Sequence, residues 1–164
     1  MDKIAKEYLR VIIERFTDMK KTAEKTIEQL NDEQLNWYPN EESNSITVIM
    51  KHMSGNMISR WTNFFTTDGE KANRQRDEEF INDINRKELM NKWEMGWACL
   101  FNVINQLNAE DLLRTIFIRN EPHTVIEAIE RQMYHYSYHI GQIVYIAKQI
   151  KDSEWRTLTI PRKK

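Results

Sequence analysis

The chain has 164 residues, 40% of them hydrophobic and 30% charged, which suits one soluble domain with a real core, residues 1–164. Its formal charge of -1 gives no field for nucleic acid or an anionic membrane, and a single cysteine, Cys99, excludes an intrachain disulfide and a CxxC site. Four glycines and three prolines are too few for the tight turns of a sandwich or barrel, so helices are expected.

The first predicted helix runs from Lys3 to Leu30. Tyr8, Ile12, Phe16, Met19, Ala23, Ile27 and Leu30 form its buried stripe. Asn31 and Asp32 end it, and NWYPNEESNS reads as loop. The second helix begins after Ser45, an N-cap, and runs to about Thr66, with Ile46, Ile49, Met50, Met53, Met57, Trp61 and Phe64 on one face. A polar loop, TDGEKANRQRDEEF, follows. The third helix, Arg86 to Leu107, carries Leu89, Trp93, Trp97, Leu100, Ile104 and Leu107. TIFIRNE, 115 to 121, alternates and reads as a short extended piece. Thr124 and Glu127 make a capping box for the fourth helix, which ends near Lys151 and buries Ile126, Ile129, Met133, Ile140, Val144 and Ala147. The tail, DSEWRTLTIPRKK, has no helical period and is expected to wrap back on the body.

Four such stripes predict an all-α, four-helix bundle with long interhelix loops and an irregular C-terminal tail. The two long connections, about 15 and about 19 residues, exceed the usual helix–helix loop, and such loops often border a site. The start, MDKIAKEYLR, lacks the apolar segment of a secretory leader, and no stretch approaches the ~18 apolar residues of a membrane span. A cytoplasmic location is expected.

YHYSYHIGQI places His135 and His139 one helical turn apart on the same face. With the apolar arc centred near Met133 and Ile140, they fall about 80–120° away, on its shoulder. His52 holds a similar shoulder on the second helix. Two readings stand. Three neutral imidazoles can hold one divalent ion and leave a position open, or they are simply packed. His123 falls in a turn and reads as a surface or capping residue.

Arg60 projects into the apolar arc two turns after His52, with Asn56 between them. It either binds an anion beside the histidines or pairs with an acidic residue of the following loop. Arg74 and Arg76, among Asp77, Glu78 and Glu79, read as a solvated charge cluster. Gly55, Gly96 and Gly141 interrupt predicted helices at about 1 kcal/mol each, and ordinary close helix contact explains them. Tyr134, Tyr138 and Tyr145 share a stripe with Gly141. The tryptophans and methionines read as core, with some left for a dimer face. Cys99 shows no feature of a reactive thiol. No carboxylate stands out as a general base, and no hydrolase triad, phosphate loop or dinucleotide fingerprint is present.

The blocks SGN, RW and TTDGEK within 51 to 80, followed by YHYSYHIGQI and WRTLTIP, resemble one branch of the DinB-like, bacillithiol-transferase-like superfamily over nearly the whole chain. That resemblance implies an up-down-down-up four-helix bundle, often a homodimer. It implies metal ligands at His52, His135 and His139; Asn56 and Arg60, beside His52 on the second helix, are the candidates for supporting the site or its ligand. One divalent transition metal is expected there, zinc or nickel first, iron or manganese next. The resemblance implies an S-transferase using a low-molecular-weight thiol such as bacillithiol. A metal-dependent hydrolase of a small substrate and a non-catalytic dimeric binding protein are the alternatives. The expected partners are a small-molecule substrate, that thiol and a second copy of the chain, with no nucleic acid and no membrane.

Overall fold

The structure is a computed structural model that describes residues 2–81 and 84–161. It is mostly helical. Helix α1, Asp2–Ile27, buries Leu9, Ile12, Phe16, Ala23 and Ile27, while Tyr8 and Met19 border that stripe. The chain turns and starts again as α2, Asp32–Asn36. Asn31 caps this helix by accepting from the Gln34 amide while the Gln34 side chain accepts from the Asn31 amide. The structure has a helix where the sequence predicts loop, because five residues are too few to show a period. The function of α2 is to deliver Leu35, 2% exposed, to the core.

Helix α3, Ile46–Trp61, is capped by Ser45, as expected, and is buried almost all round. It packs chiefly on α4, Arg86–Ile104, and also on α5, Val125–Lys151. A Cβ on Gly96 of α4 would lie 3.1 Å from the Ser54 Cα, so the glycine is what lets α3 and α4 approach. Both helices stop earlier than their apolar residues, at Trp61 rather than Thr66 and at Ile104 rather than Leu107. Phe64 and Leu107 still pack on the core from the turns that follow. Helix α1 packs on α5 and closes the core, where Phe16, Trp97 and Tyr136 meet with ring centroids 6.0–6.4 Å apart.

The alternating segment is one arm of a hairpin, β1 Thr115–Ile118 and β2 Glu121–Thr124. Its two turn residues, Arg119 and Asn120, both have positive φ, 56° and 63°, as a two-residue hairpin turn of right-handed twist requires. The Asp68 carboxylate accepts from both of their amides at 2.9 and 2.7 Å. The Gly69 amide donates to the Phe117 carbonyl at 2.8 Å. The long α3–α4 connection is thereby tied to the hairpin. The tail returns as expected: the Arg156 amide donates to Gln29 Oε1, and Gln29 Nε2 donates to the Arg156 carbonyl.

The capping box of α5 forms between Thr124 and Glu127. The buried arc of α5 lies about 60° from its expected centre, nearer the histidines. Tyr136 and Gln132 are buried at 0% and 1%, whereas Met133 is only half-buried. Weighting the helix by apolar character alone overlooked the aromatic and amide residues that fill its inner face. Among the described residues, no helix is long and apolar enough to cross a membrane.

Candidate metal centre

His52 projects from α3, and His135 and His139 project from α5 one turn apart. All three are half-buried. His135 Nε2 lies 3.2 Å from His52 Nε2 and 3.0 Å from His139 Nε2. The three ligand atoms fall within 4.8 Å of one another. Bonds of about 2.0–2.1 Å meeting at about 90–109° put ligand nitrogens about 2.9–3.4 Å apart, so both short separations fit a common ion.

The outer nitrogens fix the tautomers. His52 Nδ1 lies 3.0 Å from Glu79 Oε2, and His139 Nδ1 lies 2.9 Å from Gln142 Oε1. Both oxygens are acceptors, so each Nδ1 carries a proton and each Nε2 is the atom turned toward the third imidazole, where an ion would sit. Burial, reinforced by repulsion from His139, His52, Arg74 and Arg60, pushes His135 down to about 3. Burial also lowers His139 against the opposing pull of Gln142. Both rings are therefore neutral at neutral pH, the state in which imidazole binds a metal. Three histidines this close can hold a metal ion.

Glu79 was expected in a solvated cluster with Arg74, and the structure corrects this. The side chains of Glu79 and Arg74 are 9% and 6% exposed. Arg74 grips the carboxylate with two bonds, Nε to Oε1 and Nη2 to Oε2, both 2.8 Å. Burial opposes the Glu79 charge, but the bonds from His52 and Arg74 prevail and hold its carboxyl below the ordinary range. Gly55 makes this possible, because a Cβ there would sit 2.1 Å from Glu79 Oε1. The glycine inside α3 is a seat for the carboxylate. With both oxygens engaged, Glu79 orients His52 and is not a free base.

Asn56 and Arg60 come to the same place as the histidines. Asn56 Oδ1 accepts from the Tyr136 hydroxyl at 3.0 Å, and that hydroxyl accepts from Trp61 Nε1 at 3.3 Å. This chain pins α5 to α3 one residue away from His135. Arg60 is 3% exposed and reaches Glu70 only at 3.8 Å. The loop ion pair expected for it exists, but its Nε and Nη1 have no partner. His123 stays apart in β2, near the Glu121 carbonyl. Phe80 and Tyr138 stand beside His52 and His139 at ring distances of 6.1 and 5.2 Å. Sequence reasoning missed Glu79 and Gln142. For Glu79 the only signal was a glycine one turn from a helical histidine.

Fold and site together define a helical protein with a three-histidine cluster able to hold a metal ion. The chain belongs to the family described as protein of unknown function (DUF1572), whose model matches residues 3–164. No curated protein matches it.

Proposed function

We propose that the chain is a metal-dependent enzyme with a DinB-like four-helix bundle, and that His52, His135 and His139 hold one divalent transition metal, zinc or nickel first. The observation that carries this reading is the convergence of three imidazoles, two of them held through Nδ1 from behind. Three protein ligands leave coordination positions open, the mark of a catalytic rather than a structural site. A bound ion of this kind lowers the pKa of a thiol in an open position and so supplies thiolate at neutral pH. The reaction class is transfer of a low-molecular-weight thiol to a small electrophile. Glu79 and Gln142 hold the ligand rings, Asn56 and Tyr136 fix the two helices, and Phe80 and Tyr138 supply apolar rim. Hydrolysis is the weaker reading, because the nearest carboxylate, Glu79, is already spent on His52 and Arg74. A cytoplasmic setting, where small thiols stay reduced, accords with the lone cysteine.

The proposal extends to a homodimer. Tyr134, Tyr138 and Tyr145 are more than half exposed along α5, and a Cβ on Gly141 among them would meet nothing. Sedimentation of the purified protein tests this: a monomer at all concentrations sinks the dimer.

The first test of the site is metal content by plasma mass spectrometry on untagged protein, with His135→Ala beside it. About one equivalent of a transition metal, lost in the variant, is expected. No metal after reconstitution with zinc, nickel, iron and manganese ends the reading. Turnover that needs added thiol then separates transfer from hydrolysis.

A further inference from the structure

Beside the histidines lies a cavity of about 430 Å³ that His52 and His135 help to line. Its remaining wall is dominated by arginine: Arg60, Arg74, Arg76, Arg119 and Arg131 all border it, and no carboxylate does among the described residues. For a chain of net charge -1 this is a marked local excess. Three carboxylates stand behind the wall among the described residues, and one, Asp68, is taken by the Arg119 and Asn120 amides near Arg60. Glu79 is taken by Arg74. Glu70 is shared among Arg74 at 3.2 Å, Arg119 at 3.4 Å and Arg60 at 3.8 Å. Three anions do not neutralise five guanidiniums.

Three further observations indicate that the charge is arranged for a ligand. Arg60 is 97% removed from solvent relative to an open chain, being 3% exposed, yet its Nε and Nη1 find no acceptor. A buried guanidinium in that state is disfavoured, and burial together with the neighbouring Arg131 and Arg119 opposes its charge. Gln132, 1% exposed, also borders the cavity with its Oε1 unpartnered, an acceptor for a donor group on the uncharged part of a ligand. Arg119 holds φ 56° in the hairpin turn, a conformation that favours glycine or asparagine. Asp68 fixes that turn from the α3–α4 connection, so an arginine is kept at the cavity edge in spite of the backbone preference.

We infer that this cavity binds a small ligand carrying at least two negative charges, a phosphate group or paired carboxylates, and holds the rest of that ligand toward the three histidine Nε2 atoms. Guanidinium forks suit both groups, because each offers parallel donors to two oxygens. The inference names the substrate class of the proposed enzyme and rests on that reading only for what happens at the ligand's other end. The arginines would capture the anion with or without a metal.

The test is titration calorimetry at low salt, using metal-loaded and chelator-stripped protein. The probes are inorganic phosphate, malate as a dicarboxylate, and acetate as a single-charge control. At least one dianion is expected to bind ten-fold or more tightly than acetate in both preparations, and preference between phosphate and malate identifies the group. The double variant Arg76→Gln, Arg131→Gln, both exposed side chains, is expected to lose ten-fold or more in dianion affinity while retaining its thermal midpoint. Equal binding of dianions and acetate overturns the inference. So does unchanged affinity in the double variant, or binding that disappears when metal is stripped. Dianion binding in a protein that never takes up metal leaves this inference standing and removes the metalloenzyme. Full metal content without dianion binding does the reverse.

Discussion

A histidine that donates through Nδ1 to a carboxylate is held in one tautomer and made a better ligand. Glu79 does this for His52, and Gly55 gives it room. Two substitutions separate the parts. Glu79→Gln keeps the shape and removes the charge. Its metal affinity is expected to fall about 10–100-fold, measured by competition with a chromophoric chelator. Gly55→Ala should raise the helix propensity of α3 by about 1 kcal/mol. Its Cβ would occupy the place of Glu79 Oε1. The carboxylate must then move, and an affinity loss of about ten-fold or more is expected while the helix is kept. If Gly55→Ala binds metal as well as the wild type, Glu79 does not act through the contact described. Arg74 shares Oε2 with His52 and bonds Oε1 as well, so both substitutions also loosen its grip on Glu79, and the thermal midpoint of each variant is measured beside its metal affinity.

Among the elements, the long helices were legible because an amphipathic helix repeats its apolar residues over many turns. The five-residue α2 and the inner face of α5 were not. The first is too short to repeat, and the second is lined by Gln132 and Tyr136, whose polar atoms disguise burial. The histidine trio could be found from residue type and spacing. Glu79 could not, since it reaches His52 across 27 residues of chain through a charged connection. What fixes that connection is tertiary: the Asp68 clasp on the hairpin turn and the Gly69–Phe117 bond. The turn gives the test. Asn120 has φ 63°, where glycine is at no disadvantage. Asn120→Gly preserves the amide that Asp68 accepts from and should stabilise the protein by a few tenths to about 1 kcal/mol. A rise of up to about 4 °C in the thermal midpoint follows. A fall instead would mean that the Asn120 side chain holds the turn in a way its backbone does not.

At the scale of the molecule, the site couples stability to protons and to metal. His135 titrates near 3 in the folded chain against an ordinary 6.5, and His139 is lowered as well. Between those values the unfolded chain carries protons that the folded one refuses. Stability therefore rises with pH across this window, is complete above about 6.5, and falls as pH drops through it. Glu79, Asp68 and Asp111 are also lowered, but their ordinary values are 4.5, 3.8 and 3.8. Their contribution fades only at lower pH, which leaves the range from 6.5 to 4.5 to the histidines. Metal-free protein unfolded by urea at steps between pH 7.5 and 5 should lose stability steadily below 6.5. His135→Ala should show a shallower slope, because it removes the most depressed of these groups. A wild-type profile flat down to pH 5, or equal slopes in the two proteins, would contradict the burial described for the cluster. Metal binds the same nitrogens and requires them unprotonated, a state that His135 keeps in the folded chain down to about 3. At free metal 100-fold above its Kd the gain is about 2.7 kcal/mol. That corresponds to a rise of about 5–10 °C for a chain of this size. The increment should shrink only as pH approaches the depressed value of His135, about 3, where protons displace the ion, and its loss in His135→Ala would assign it to this site.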